Sequence, residues 1–427
     1  MMLGLTLRSM LGRKVSIALT VVTLALSVAL FLTVERMRIA VQESFDGSVS
    51  GVDVLVGARG SELSLLLYTV FQIGDAAPSM RWTSFEEVVQ DDRVDWAVPI
   101  SLGDSHRRYR VIATTSDYFE HVRVGRNRPL AFRAKTDSLL RGFGVVLGAE
   151  VVRALGYQIG DALTIQHGLA SAGDESHKHQ PFIVTGILEA TGTPVDYGVL
   201  VHIRAFEAIH EGWTGSVPGT GLDRHEGITD RTAIDLSGPD FEPSLLTAVY
   251  VGLKSKRRIF QFIEDIEDRD RSEPLTGVLP GITLSQLWLL LATAESAMLL
   301  FSVLIVLVAL AGQMTLLVAT LDLRRREIAI YRAMGAQPIT VAVLLVLESM
   351  VISVCAAGLG LVLTLLGTLT AGQVLGGFLK LELSAVTLSA GQVQALLAFV
   401  VVSAVTGLIP AFMAYRTSLQ DGMRARF

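Results

Sequence analysis

Four apolar stretches of the chain limit its possible folds more than any other feature. They cover Val15–Val34, about Ser296 to Leu321, Val341 to beyond Gly367, and Gln392 to Ala414, and each is almost free of charge. A helix that crosses the hydrocarbon core of a bilayer needs about 20 such residues. Because 51% of the 427 residues are hydrophobic and the mean hydropathy is +0.50, the sequence predicts a four-span membrane protein.

The charges that flank the four stretches predict their orientation. The two termini and the short segment between spans 2 and 3 hold ten Lys and Arg residues against three Asp and Glu residues, whereas the remaining non-membrane stretches hold 26 basic and 37 acidic residues. Cytoplasmic loops carry the excess of basic residues, so both termini are expected in the cytoplasm. Arg13 and Lys14 would also suit a signal peptide, but the first apolar run exceeds a signal core of about 7–15 residues, which favours a retained anchor.

The long stretch between spans 1 and 2 has the composition of a globular domain. Its predicted strands are Trp96–Ile100, Tyr109–Thr114, Gly144–Leu147, Ala162–Gln166, Phe182–Leu188, Val199–Ile203 and Thr247–Leu253, and its predicted helices are Glu62–Ile73, Ala149–Leu155, Ile203–His210 and Lys256–Glu267. This mixed order predicts an α+β extracytoplasmic domain. Residues Glu211–Pro243 are rich in Gly, Pro, Asp and Ser and are expected to form a long surface loop.

The expected organisation has nine segments. They are a cytoplasmic interfacial helix (1–14), span 1 (15–37), the extracytoplasmic α+β domain (38–284), span 2 with an extracytoplasmic stalk (285–321), a cytoplasmic helix (322–340), span 3 (341–372), an extracytoplasmic loop (373–390), span 4 (391–415) and a cytoplasmic tail (416–427).

Motifs of enzyme chemistry are missing from the sequence. It contains no Walker A motif, no G-x-S-x-G and no H-E-x-x-H, so the chain is expected to be non-catalytic. Asp174, Glu175, His177 and His179 are weak candidates for metal ligands, since carboxylates and imidazoles bind Zn²⁺. A polar, solvated loop is the favoured interpretation because no second ligand pair with defined spacing accompanies them.

Two features of span 3 have both a structural and a functional interpretation. Glu348 is costly in lipid unless it faces protein, water or a cation. It either pairs with a neighbouring Arg or a helix terminus, which we favour, or belongs to a proton or ion relay. Gly358, Gly360 and Gly367 form a small-residue surface, which is typical of close helix packing within one chain or between subunits.

The charged segment between spans 2 and 3 has the signals of a short helix with a defined end. Asp322 can cap its start, and Ile328 and Tyr331 fall three residues apart on one face. Gly335 can adopt the left-handed conformation that ends a helix, and Pro338 prevents continuation. These signals favour a docking helix over a loop that only sets topology.

Several short motifs of the sequence occur together. They are RREI at 325–328 with RAMGA at 332–336, Glu348-Ser349 early in span 3, GLIPA at 407–411 with Ala414-Tyr415-Arg416, and the strand–helix–strand stretch Val145–Leu188. Together with the span number they resemble the FtsX/MacB/LolC-type permeases of ABC transporters. Ala329 and Met334 replace the Gly and Leu of the family pattern, and the tail at Leu419–Arg424 lacks its Pro and Glu.

This resemblance implies a permease dimer in the bacterial inner membrane, bound to two copies of a separate ATPase subunit. ATP and Mg²⁺ would be bound by that ATPase and not by this chain. The implied mechanism is mechanotransmission, in which ATP hydrolysis moves the periplasmic domains in order to export or extract an envelope substrate such as a lipoprotein, peptide or lipid. The expected ATPase contacts are Arg325, Arg326, Glu327, Ile328, Tyr331, Arg332 and Gly335.

Two alternatives remain at this stage. One is an FtsX-like regulator of an envelope enzyme that transports nothing, and the other is a zinc-linked transport component. Contact with membrane lipid is expected in either case, contact with a periplasmic substrate or adaptor protein is an open expectation, and nucleic acid is not an expected partner.

Overall fold

The computed structural model describes residues 10, 13–48, 50–125, 127–167, 181–210, 232, 234–236, 238, 241–268, 273–379 and 388–416. The chain divides into two compact units. The first, here the helical unit, comprises Met1–Ala40, Leu291–Phe378 and Leu383–Phe427. The second, here the inserted domain, comprises Val41–Leu290 and Leu379–Glu382.

The described helices and strands follow one another in mixed order. The helices are α1 Lys14–Ser48, α2 Glu62–Thr69, α3 Trp82–Val89, α4 Asp117–His121, α5 Ala149–Leu155, α6 Ile203–His210, α7 Ile259–Ile266, α8 Pro280–Ala333, α9 Pro338–Leu379, α10 Ala390–Thr406 and α11 Leu408–Arg416. The strands are β1 Val54–Ala58, β2 Met80–Arg81, β3 Val94–His106, β4 Tyr109–Thr114, β5 Arg123–Val124, β6 Arg128–Pro129, β7 Phe132–Lys135, β8 Gly144–Leu147, β9 Ala162–Leu163, β10 Gln166–His167, β11 Phe182–Leu188, β12 Val199–His202, β13 Leu245–Leu246, β14 Ala248–Leu253 and β15 Leu275–Val278.

Four of the helical stretches are long and apolar enough to cross a membrane. They are Lys14–Ile39, Pro280–Ala319, Ile339–Thr368 and Ala390–Met413, which confirms the four predicted spans. Span 1 packs closely on span 3 inside the helical unit. A Cβ atom added to Gly360 would lie 2.9 Å from both the Ala25 carbonyl oxygen and the Val28 Cβ, whereas one added to Gly358 or Gly367 would meet nothing within 4 Å. The small-residue surface is therefore used within the chain at Gly360.

One large, mostly antiparallel sheet forms the frame of the inserted domain. Its strand order is β15-β1-β14-β3-β4-β12-β8-β11-β7, with parallel pairing only at β12–β4 and β11–β8 along this path. Helices cover it, and buried side chains such as Leu55, Val98 and Val146 form a continuous core on one side. The predicted α+β domain between spans 1 and 2 is confirmed.

Several predicted elements needed correction in extent. The strand predicted at Ala162–Gln166 is two short strands, because β9 pairs with β11 while β10 pairs with β3. The helix predicted over Glu62–Ile73 ends at Thr69, and Gln72 then adopts a positive φ of 56°. The helix predicted from Lys256 begins with a 3-10 turn at Lys256–Arg258.

The ends of α1 and α8 that belong to the inserted domain join its core through aromatic side chains. The Phe45 ring of α1 stacks on Phe71 with 4.2 Å between ring centroids, and it meets Trp288 of α8 edge-on at 5.6 Å. Leu284 of α8 is buried in the same cluster. Aromatic contacts of this kind bury large apolar areas, so they hold both helix ends firmly in the domain.

Residues 322–337, here the coupling segment, do not form the separate helix that the sequence predicts over 322–340. Helix α8 runs without interruption from Pro280 to Ala333, so Asp322 lies inside a helix and not at the start of one. The residues around it, including Leu323, Arg324 and Glu327, belong to types that propagate a helix well. Continuing an existing helix also avoids the cost of a new helix nucleus.

Candidate functional site: the coupling segment and a polar centre between the spans

The turn between α8 and α9 has the geometry that its sequence predicts. Residues 334–337 connect the two helices, and Gly335 has a φ of +94°, in the left-handed region that favours glycine. Pro338 is the first residue of α9, where its fixed φ and missing N–H are tolerated. The predicted stop at Gly335 is therefore confirmed, although the helix that it ends is α8 itself.

The last turns of α8 follow the point at which this helix contacts α9. Leu321 packs against a small buried cluster that contains Val341 and Leu345 of α9. From Leu321 the helix α8 continues for another 12 residues, about 18 Å, whereas α9 begins only about 5 Å before Val341. About three turns of α8 therefore follow its contact with α9 at Leu321, whereas less than one turn of α9 precedes that contact.

The sequence-predicted contact residues occupy these final turns. Their backbone positions are Arg325, Arg326, Glu327, Ile328, Tyr331 and Arg332 in α8 and Gly335 in the turn. Sequence reasoning missed two exposed apolar side chains there, Ile330 at 53% and Met334 at 71% exposure. Met334 directly follows the helix, and its N–H donates to the Ile330 carbonyl oxygen at 3.0 Å, so the two side chains lie on one side. This spacing of four residues is the signal that could have identified them.

Glu348 is paired with a basic residue that directly precedes span 1. It is 1% exposed, and the Arg13 Nη2 atom donates a hydrogen bond of 2.7 Å to its Oε1 atom. The pair joins the start of α1 to α9. This is the pairing with a neighbouring Arg that the sequence analysis favours. A buried carboxylate of this kind is tolerated in a membrane bundle because its charge is compensated.

Beside the ion pair, polar side chains from spans 2, 3 and 4 form a hydrogen-bonded network. The Gln313 amide donates to the Ser349 hydroxyl at 2.9 Å, and the Ser403 hydroxyl donates to the Gln313 carbonyl oxygen at 2.7 Å. The Ser349 hydroxyl donates to the Ser403 backbone carbonyl at 2.7 Å. Ser353 lies within hydrogen-bond distance of the Ser349 carbonyl and the Ser403 hydroxyl and donates its single proton to one of them.

This group of Gln313, Ser349, Ser353 and Ser403, which we name the polar centre, is buried in an otherwise apolar bundle. All four residues are 0% exposed. Gly407 allows the close approach, since a Cβ atom added there would lie 2.7 Å from the Ser349 Cβ. Hydrogen bonds between membrane helices hold them together, so the polar centre ties spans 2, 3 and 4 at one level. Sequence reasoning missed Gln313, Ser353 and Ser403, because nothing in the sequence indicates that single polar residues in separate spans contact one another.

The predicted metal candidates His177 and His179, with Asp174 and Glu175, lie outside the described residues, as do residues 1–9 of the predicted interfacial helix and the tail from 417 onwards. Among the residues that the structure describes, no group of three or more His, Cys, Asp and Glu side chains is arranged to hold a metal ion.

Comparisons with known proteins identify the family. The model of the MacB-like periplasmic core domain matches residues 17–269, and the model of the FtsX-like permease C-terminal region matches residues 299–419. The chain belongs to the FtsX/MacB-type permeases of ABC transporters. It is a multi-pass membrane protein with four apolar helices and a MacB-like periplasmic domain between the first and the second.

A search of solved structures matches two periplasmic or extracellular domains with low scores. The periplasmic region of MacB from Actinobacillus actinomycetemcomitans is 9% identical with a TM-score of 0.32, and the match covers 56% of this chain and 95% of that one. The extracellular domain of the noncanonic ABC-type transporter YknZ from Gram-positive bacteria is 12% identical with a TM-score of 0.30, covering 53% and 98%. A search of curated protein sequences finds no match. The family assignment rests on the two family models.

Proposed function

We propose that this permease couples ATP hydrolysis by a separate ATPase subunit to movement of its periplasmic domain, and thereby exports or extracts an envelope substrate such as a lipoprotein, peptide or lipid. The observation that carries the proposal is helix α8, which is continuous over 54 residues from Pro280 to Ala333. A continuous hydrogen-bonded helix has a fixed rise per residue, so a displacement at one end is passed along it.

The coupling segment, residues 322–337, is the part of the permease that contacts the ATPase in this proposal. Its final three helical turns extend beyond the contact of Leu321 with α9, and Ile330 and Met334 expose an apolar face there. Apolar anchors are typical of a protein interface. The sequence also holds four arginines between Arg324 and Arg332, and this excess of basic residues supports a cytoplasmic location for this end under the positive-inside rule.

The polar centre makes the spans respond together. Gln313 of span 2 is hydrogen-bonded to both span 3 and span 4, so a push on α8 reaches them at the same level. Span 1 follows because Arg13 is bonded to Glu348 and because Gly360 packs on the Ala25 backbone. The periplasmic ends of α1 and α8 are in turn fixed to the inserted domain by Phe45 and Trp288.

The proposed assembly contains two copies of the permease and two of the ATPase in the inner membrane, with both termini in the cytoplasm. ATP and Mg²⁺ bind to the ATPase, and this chain takes no part in the chemistry. The absence of a Walker A sequence supports this division of labour.

The experiment is a gentle purification of the tagged full-length chain from its native membrane, with and without a non-hydrolysable ATP analogue, followed by identification of what co-purifies. A stoichiometric ATPase subunit with a P-loop is the expected result. If none appears under either condition, the coupling argument fails and a stand-alone receptor or scaffold becomes the better account.

A further inference from the structure

A cavity of about 320 Å³ opens on the inserted domain beside the hairpin of β3 and β4. Its described lining includes His106, Arg107, Tyr157, Leu163, Thr164 and Gln166. This volume lies at the lower end of the range in which proteins bind small molecules, about 300–1,000 Å³. Neither the coupling segment nor the polar centre contributes to it, so the proposed function leaves the cavity unexplained.

One wall of the cavity is fixed by a hydrogen-bonded chain. The His106 ring is 5% exposed, and its Nδ1 atom lies 2.6 Å from the Thr164 carbonyl oxygen. A carbonyl oxygen only accepts, so Nδ1 carries the proton and Nε2 accepts from the Tyr157 hydroxyl at 3.0 Å. Burial lowers the pKa of His106, which keeps the imidazole neutral in this arrangement. The ring and hydroxyl of Tyr157 are thereby held in place before any ligand arrives.

The lining also includes an arginine, Arg107, in a backbone position that favours glycine. His106 pairs with Tyr109, so Arg107 and Arg108 form a two-residue hairpin turn. Arg107 has a φ of 56°, and glycine is the usual first residue of a hairpin turn with positive φ. A strained backbone that retains a charged side chain is typical of functional sites. The Arg108 guanidinium, in contrast, packs over the Tyr109 ring, with its central carbon 5.5 Å from the ring centroid.

The chemistry of the wall indicates the class of ligand. Among the described lining residues, Arg107 is the charged group, since His106 is neutral, while Thr164 and Gln166 are polar. Ala162, Leu163 and Pro181 complete the lining with apolar surface. We propose that this cavity binds a small organic carboxylate, whose charged end pairs with the Arg107 guanidinium and whose short apolar chain packs beside Leu163. A guanidinium matches a carboxylate with two parallel hydrogen bonds, and the apolar wall distinguishes this ligand from inorganic phosphate.

The test uses the full-length protein in detergent micelles and saturation-transfer NMR with three probes: butyrate, the uncharged n-butanol of similar chain length, and inorganic phosphate as a competitor. Butyrate is expected to receive saturation from the protein, n-butanol much less, and phosphate is expected to displace butyrate poorly. Butyrate that binds no better than n-butanol, or phosphate that displaces it at equal concentration, contradicts the carboxylate assignment.

Variants separate binding from folding. Arg107→Gly relieves the positive φ, so Tm is expected to stay the same or rise, whereas butyrate binding is expected to weaken at least about 10-fold because a hydrogen-bonded charge is lost. Arg108→Ala is the matched control, since it removes the same charge from the same turn without changing the cavity lining, and it should keep wild-type affinity. Tyr157→Phe should weaken binding less than Arg107→Gly. Unchanged affinity in Arg107→Gly, or an equal loss in Arg108→Ala, overturns the proposal.

Discussion

The ion pair between Arg13 and Glu348 makes a quantitative prediction about the helical unit. Replacing Glu348 by Gln keeps the size of the side chain and its ability to hydrogen-bond, but it removes the negative charge that pairs with Arg13. The side chains of Arg13 and Glu348 are 17% and 2% exposed, and their charged atoms are 2.7 Å apart. The matched control is Glu295→Gln, because Glu295 also pairs with an arginine of α1, Arg38, at 3.1 Å.

The expected magnitudes follow from burial. Removing one partner of a buried pair costs about 3–5 kcal/mol of the free energy of unfolding. Because the Arg13 side chain keeps some access to solvent, we expect about 2–3 kcal/mol for Glu348→Gln. The side chains of Arg38 and Glu295 are 33% and 27% exposed, and Arg38 retains its bond to Glu35. Glu295→Gln should therefore cost at most about 1 kcal/mol.

The assay is reversible unfolding of the full-length protein in mixed detergent micelles, followed by far-UV circular dichroism. Tryptophan fluorescence is unsuitable because Trp82, Trp96, Trp213 and Trp288 all belong to the inserted domain, whereas loss of helix reports on the spans. A double-mutant cycle with Arg13→Gln should give a coupling energy of about 2 kcal/mol. Equal costs for Glu348→Gln and Glu295→Gln, or a coupling energy below about 0.5 kcal/mol, would refute the reasoning.

Three further predictions concern other parts of the molecule. Gly360→Ala should destabilise the full-length protein by about 1–3 kcal/mol, because the new methyl group meets the Ala25 backbone. The control Gly358→Ala should be neutral or stabilising in the same unfolding assay. Gly335→Val, which strains the left-handed turn, and Glu327→Lys should each uncouple ATP hydrolysis by the co-purified ATPase from substrate movement without unfolding the protein. Normal coupling in both variants contradicts the assignment of the coupling segment. Burial lowers the pKa of His106, so the unfolded chain binds a proton at higher pH than the folded chain does, and the free energy of unfolding should fall as the pH drops below about 6.5. His106→Gln should reduce this pH dependence in thermal melts at graded pH. An unchanged dependence would contradict the role given to His106.

Much of the architecture could be predicted because its signals are local. The spans follow from apolar length, and α5 and α6 begin and end at the predicted residues, since a glycine or a change of periodicity marks their limits. Strands β1 and β15 were missed. Val54, Leu55 and Val56 of β1 are all buried, so the alternation that marks a half-exposed strand is absent.

The candidate site was predictable only in part, for reasons that are also physical. Gly335 and Pro338 determine the conformation of the backbone at their own positions, so the residue type alone indicates the role of each. The polar centre depends on contacts between residues as far apart as Gln313 and Ser403, which only the packed bundle brings together. The start of the coupling segment was mispredicted at Asp322, because the capping preference of one residue is small compared with the gain from continuing an existing helix.

Photo-crosslinking in the native membrane tests the central claim most directly. A photoreactive amino acid is placed at Ile330 or Met334 of the coupling segment, which are 53% and 71% exposed, and at Leu300 of span 2 as a control, which is 67% exposed. The account predicts a covalent adduct with a P-loop ATPase subunit from positions 330 and 334, and none from position 300. ATPase adducts absent from both coupling positions, or equally strong at position 300, would contradict it.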